Sequence, residues 1–145
     1  MIAIRPAEPA DLSAISALDA RLTGQAKAVY WQETLARYAG GPPERHFLLA
    51  ETPRGALVGF VAGEVRAWEF GQPPAGWVFA IQVDPKARLE GVGSALFEAL
   101  AARFKDQGVT RVRTLVDRKD HLILSFFRAQ GMVAGPSLQL DKELS

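Results

Sequence analysis

Between Ile81 and Leu100 the chain reads IQVDPKARLEGVGSALFEAL, and no other stretch narrows the available folds as much. A short apolar run halts at Pro85, which has no N–H to give a ladder and fixes its own φ. A basic loop follows, and two glycines flank Val92. From there Val92, Leu96, Leu100 and Phe104 recur at i+4 steps, the spacing of one buried helix stripe, with Gly108 standing where a C-terminal cap belongs. The chain must therefore turn from strand into helix at a glycine step. A helix N-terminus carries unpaired N–H groups and a partial positive charge. Gly91 and Gly93 remove Cβ atoms that would hold an anion away from the backbone, and Arg88 adds a cation in the same loop. One helix end contributes only about 0.3–1 kcal/mol toward an anion, so several N–H groups must act together. The same residues also make a plain glycine turn with no ligand.

The rest of the chain supplies elements on either side of that corner. IAIRPA reads as a first strand ended by Pro6, and EPADLSAISALDARL as a helix with Leu12, Ile15 and Leu18 on one face. A second helix over AKAVYWQETLARYA stops at Gly40-Gly41, before Pro42-Pro43. RHFLLAE and ALVGFVAGEVRAW, joined by TPRG, form a hairpin. WVFAIQVD is mostly apolar and so a central strand. TRVRTLVD alternates as a strand, KDHLILSFFRAQ is a last helix before Gly131, and PSLQLDKEL is expected as a final strand. The order β-α-α-β-β-β-α-β-α-β predicts one α+β domain over residues 1–145, with no repeat or linker inside it.

Composition removes several classes of function. The net charge of +1 gives no field to recruit nucleic acid or an anionic membrane surface. Without cysteine there is no disulfide, no thiolate metal site and no cysteine nucleophile. His46 and His121 stand alone, so no metal is expected. Ser94 and Ser125 lack the G-x-S-x-G elbow of a serine hydrolase. No apolar run approaches membrane-spanning length, and MIAIRPAEPADL puts a proline and acids where a leader needs apolar residues, so a cytoplasmic location is expected. The P-loop pattern is missing, and the third position of a dinucleotide fingerprint is Leu96.

RLEGVG, Arg88 to Gly93, following IQVDP, resembles the [QR]-x-x-G-x-[GA] pyrophosphate loop of the GNAT N-acetyltransferase superfamily. IRPAEPADLSAI is similar to that family's opening strand and helix, and LVGFVAG to its third strand. DHLILSFFRAQGM resembles the segment written N-x-x-A-x-x-[FL]-Y-x-x-x-G-F. The resemblance, to a small single-domain bacterial-type member, implies a mixed, mostly antiparallel sheet of about six to seven strands flanked by about four helices, its fourth and fifth strands splayed apart. It also implies acetyl-CoA as co-substrate. Ile81, Gln82 and Val83 would contact the pantetheine arm, and the N–H groups of Arg88, Leu89, Glu90, Gly91, Val92, Gly93 and Ser94 the pyrophosphate. Asp120 and Phe127 would complete the cofactor site. A main-chain N–H on the fourth strand would stabilise the developing oxyanion. A small-molecule or peptide amine would attack directly, with no acyl-enzyme. The family's habits also allow a homodimer.

Departures from the family pattern fall on its acid–base residues. Asp120 replaces the usual asparagine, and Phe127 stands where a tyrosine often protonates the departing thiolate. Trp77 and Leu115 occupy positions where some members carry a glutamate base. Glu64, Glu69 and Asp117 are the remaining base candidates, each equally readable as a structural or solvated acid. Tyr30 and Trp31, in the second helix, either line the acceptor side or simply pack. A lysine amine, with pKa near 10.4, is neutral in roughly one molecule in 2,500 at pH 7, a deficit of about 4.6 kcal/mol. An α-amino group near 7.7–8.0 lacks only about 1.4 kcal/mol. The expectation is therefore either an acceptor amine of low pKa or loss of the proton through water to a less usual carboxylate. The alternatives are a catalytically silent acyl-CoA-binding module that regulates a partner, which Phe127 favours, and a dimerisation domain with no affinity for CoA.

Overall fold

In the computed structural model, which describes residues 1–145, five strands form one sheet in the order β1-β2-β3-β4-β5. All five lie in a compact unit over residues 1–115, and residues 116–145 form a second, smaller unit. In the first unit β1 (Ala3–Pro6) leads into α1 (Leu12–Thr23) and α2 (Ala28–Tyr38). The hairpin of β2 (Arg45–Glu51) and β3 (Leu57–Arg66) precedes β4 (Ala75–Val83), α3 (Val92–Asp106) and β5 (Val112–Thr114). Neighbours from β1 to β4 are antiparallel, while β5 returns parallel to β4 through α3. The second unit contains α4 (His121–Ala129). No helix is long and apolar enough to cross a membrane.

Each face of the sheet has its own cover. On one, Phe47, Leu49, Phe60 and Ala62 pack against Ile15, Leu18, Trp31, Leu35 and Tyr38 from α1 and α2. On the other, α3 sits so close that a Cβ on Gly59 or Gly63 would crowd Leu96 or Leu100, at 3.1 Å in each case. Gly76 is tighter still, its missing Cβ lying 2.3 Å from the Phe104 ring. The β3–β4 register passes from Ala62↔Ala80 to Gly63↔Val78, so Phe79 is an extra residue, a bulge on β4. The bulge resets the alternation, and Phe79 meets Tyr38 of α2, ring centroids 5.3 Å apart.

Three sequence expectations are corrected. The sheet has five strands rather than six to seven. PSLQLDKEL forms no strand, and Leu138, Leu140 and Leu144 are exposed. Its alternation lasts only from Leu138 to Leu140 before Asp141, Lys142 and Glu143 interrupt it, too short to define a buried face. Likewise β5 covers Val112–Thr114, where the sequence pattern ran from Thr110 to Asp117.

Candidate active site

The ladder between β4 and β5 is brief. Gly76, Trp77 and Val78 pair with Val112, Arg113 and Thr114, and there it stops. The Thr114 hydroxyl closes the end by donating to the Val78 carbonyl at 2.8 Å. Beyond this point β4 runs on from Phe79 to Val83 with only β3 beside it, and its other edge pairs with no strand. Ile81, Gln82 and Val83 all lie on this one-sided stretch. The β4–β5 ladder thus ends five residues before β4 itself does.

The glycine corner begins where that edge ends. The Asp84 carboxylate accepts the Lys86 N–H at 3.0 Å and pairs with Arg21 of α1 at 3.3 Å, which fixes the exit from β4. Pro85–Glu90 winds as a 3-10 turn, with Arg88, Leu89 and Glu90 exposed. Gly91 then takes φ 74°, ψ 19° as the N-cap of α3, with no side chain capping the helix. The first intrahelical bond runs from the Ala95 N–H to the Gly91 carbonyl at 3.0 Å, so the N–H groups of Val92 and Gly93 precede it. A Cβ on Gly91 would meet open space, so glycine is needed there for its left-handed backbone rather than for room. Val92 is buried and anchors the first turn, its Cγ1 lying 3.3 Å from where a Gly59 Cβ would be.

Behind β4 lies a buried ionised group that no sequence motif marks. Asp19 of α1 is fully buried and accepts hydrogen bonds from Trp31 Nε1 (3.0 Å) and Gln82 Nε2, and it pairs with Lys27 Nζ at 3.0 Å. Burial pushes its carboxyl up, but the donors from Trp31, Lys27 and Gln82 together outweigh it and hold the group below the ordinary aspartate value. A carboxylate offers only acceptors, so Gln82 must turn its NH₂ to Asp19. Asp19 thereby ties α1 to the one-sided stretch of β4. A signal was present, since Asp19 falls four residues after Ile15 on the apolar stripe of α1.

The base candidates have different surroundings. Glu64, on β3, is held by Arg66 Nε at 3.3 Å and Arg45 Nε at 3.7 Å. Burial, and after it a hydrogen bond with Glu64, pushes the Tyr38 phenol up to about 12. Glu69 is exposed in the turn Glu69–Gly71 between β3 and β4. In the second unit, Asp117 accepts the Lys119 N–H at 2.8 Å, and Asp120 is the N-cap of α4, accepting the Ile123 N–H at 3.1 Å. Phe127 is buried, while Leu115 is exposed at the end of the first unit. Of the two aromatic residues of α2, Trp31 is buried in the core and Tyr30 is 44% exposed.

A family model described as Acetyltransferase (GNAT) family matches residues 12–132. The chain is 32% identical over 87 residues to a mycothiol acetyltransferase of Paenarthrobacter aurescens, covering 60% of this chain and 27% of that protein. It thus spans about a quarter of the length of the curated relatives it matches. Among solved structures it is similar to the aminoglycoside antibiotic 6'-N-acetyltransferase AAC(6')-Ih of Acinetobacter baumannii, with TM-score 0.84, 19% identity and 100% of both chains covered. It is also similar to the glucosamine-6-phosphate N-acetyltransferase of Arabidopsis thaliana, with TM-score 0.77, 18% identity, and 100% of this chain and 99% of that one covered. At these identities the solved structures speak for the fold, and the family model, which covers most of the sequence, places the chain in the GNAT acetyltransferase family.

Proposed function

We propose that residues 1–145 act as one acetyltransferase domain, which binds acetyl-CoA and passes its acetyl group directly to a primary amine. The observation that carries this is the edge of β4 from Phe79 to Val83, free of a strand partner and leading straight into the anion-suited start of α3. Main-chain groups along such an edge call for partners. The amides of a pantetheine arm fit Ile81, Gln82 and Val83 as an added strand would. A pyrophosphate fits the N–H groups from Arg88 to Ser94, with the dipole of α3 behind it. For Asp120 and Phe127, in the second unit, a place in the cofactor site rests on the family resemblance alone. When bound, acetyl-CoA supplies an acetyl thioester.

In the transfer itself the amine nitrogen forms a bond to the acetyl carbon, the C–S bond breaks, and the nitrogen loses a proton. A main-chain N–H of β4 near the bulge stabilises the oxyanion as it develops. Phe127 has no proton to give. A thiol pKa near 8.5 lets water reprotonate the leaving group near neutral pH. The engagement of Glu64 by two guanidiniums leaves Glu69 and Asp117 as the freer base candidates. With an amine of low pKa, no protein base is required. A catalytically silent acyl-CoA module is the second reading, and the phenylalanine at position 127 is what favours it.

Calorimetric titration with acetyl-CoA, using NADH and ATP as comparators, tests the binding half. Selective binding in the micromolar range is expected, and no binding would reduce the corner to a turn. A screen of amines for released thiol then separates the two readings, since only the enzyme turns over.

A further inference from the structure

A cross-strand row runs over the α2 face of the sheet, one residue short of the point where β4 and β5 part. Arg45 of β2 pairs with Glu64 of β3, Glu64 with Trp77 of β4, and Trp77 with Arg113 of β5. Ladder partners share a face, and Gly76 and Gly63 on either side of the row point at Phe104 and Leu100 of α3. The row therefore faces away from α3. Arg66 joins it from two residues along β3, lying 5.1 Å from the Trp77 ring centre and 3.3 Å from Glu64. Arg45 lies 5.6 Å over the Tyr38 ring. Phe79 continues this face, touching Tyr38 and 37% exposed.

The charges in this row do not balance. Three guanidiniums, Arg45, Arg66 and Arg113, stand with one carboxylate, Glu64, which pairs with Arg45 and Arg66 only, and Tyr38 stays a neutral phenol at physiological pH. Glu69, in the turn after β3, lies within ion-pair distance of none of the three. Arg113 is half-buried and has no acidic partner. A guanidinium there, beside an indole, is arranged to take a carboxylate or phosphate in a fork of hydrogen bonds while the ring covers the adjoining apolar part. The Trp77–Arg113 pair lies about 3.3 Å along the strand from Val78–Thr114, where the acetyl group would be reached. We infer that the acceptor is a primary amine that also carries an anionic group, and that Arg113 is the residue that selects it, with Arg66 and Trp77 forming the rest of the wall. This rests on the acetyltransferase reading. It predicts that polycationic amines are poor acceptors, because two guanidiniums in excess repel them.

The test is calorimetric titration of acceptors onto protein saturated with coenzyme A. The probes are 4-aminobutanoate against 4-aminobutanamide, 2-aminoethyl phosphate against ethanolamine, and spermidine. Each amine with an anionic group is expected to bind about tenfold more tightly than its counterpart without one, and spermidine most weakly. The advantage should shrink in about 0.5 M salt, drop below about threefold in Arg113→Gln, and fall to an intermediate value in Arg113→Lys, which keeps the charge and loses the fork. Equal binding of partners with and without the anionic group, tighter binding of spermidine, no measurable acceptor binding, or an advantage unchanged in Arg113→Gln would overturn the inference while leaving the transferase reading standing. Failure of coenzyme A itself to bind removes that reading, and the inference falls with it.

Discussion

A single methyl group at Gly76 is enough to probe how closely β4 rests on α3. An alanine Cβ there would lie 2.3–2.6 Å from three ring carbons of Phe104, which is 1% exposed and has no room to swing. Gly76→Ala should cost about 1–3 kcal/mol, read as a lowered urea midpoint, and Phe104→Leu in the same chain should recover part of it. Equal losses with and without Phe104 would show that the clash is not the cause. Asp19 makes the complementary test, of charge rather than volume. Its folded pKa lies below its unfolded value, near 3.9, so between the two the native state binds fewer protons and stability rises with pH. The contribution is complete above the unfolded value and is lost as pH falls through the folded one. Asp11, held down chiefly by its hydrogen bonds from Arg5, acts in the same sense. Asp19→Asn should therefore cost about 1–3 kcal/mol at pH 7, with the gap to the parent closing toward pH 3 in urea titrations. A gap that stays constant over that range would mean the native carboxyl is not ionised.

At the scale of elements, what could be read in advance was whatever has a local cause. β2 starts and stops where RHFLLAE does, and α3 begins at Val92 because the i+4 stripe and the glycine before it leave no other start. The β2–β3 hairpin followed from TPRG between two apolar runs. The bulge at Phe79 gave no warning: WVFAI is apolar throughout, so no alternation marks which residue is extra. β5 and the absent final strand depend on a partner rather than on propensity, and partners are not written beside a strand. The Arg45–Glu64–Trp77–Arg113 row was hidden for the same reason, since its members meet only through register. The glycine corner separates into two roles that mutation can distinguish. Gly91→Ala forces a Cβ into a left-handed backbone facing open space, so it should lower stability by about 1–2 kcal/mol through conformation alone. Gly93→Asp, in the first turn of α3, places a carboxylate against the proposed pyrophosphate position. It should abolish acetyl-CoA binding by calorimetry while leaving the helical circular dichroism in place. Retained affinity would move the phosphate site elsewhere.

For the whole molecule, the proposed transfer raises the question of what would set its rate when the positions that the family resemblance assigns to acid and base carry neither. Phe127 cannot donate a proton, Trp77 and Leu115 cannot accept one, and Glu64 is bound up with Arg45 and Arg66. If the nucleophile must arrive already neutral, the reaction depends on pH through the acceptor and not through the protein. An α-amine near pKa 8 then starts about 1.4 kcal/mol short at pH 7, and a lysine-like amine near 10.4 about 4.6 kcal/mol short. The expected pH profile of kcat/KM rises about tenfold per unit and levels off at the acceptor's own pKa. Two acceptors of matched shape and different basicity should therefore give rising limbs displaced by the difference in their pKa values. A limb that stays at one pH for both would instead report a protein base. Glu69→Gln and Asp117→Asn would then be the variants to compare, and the one that erased the limb would identify it.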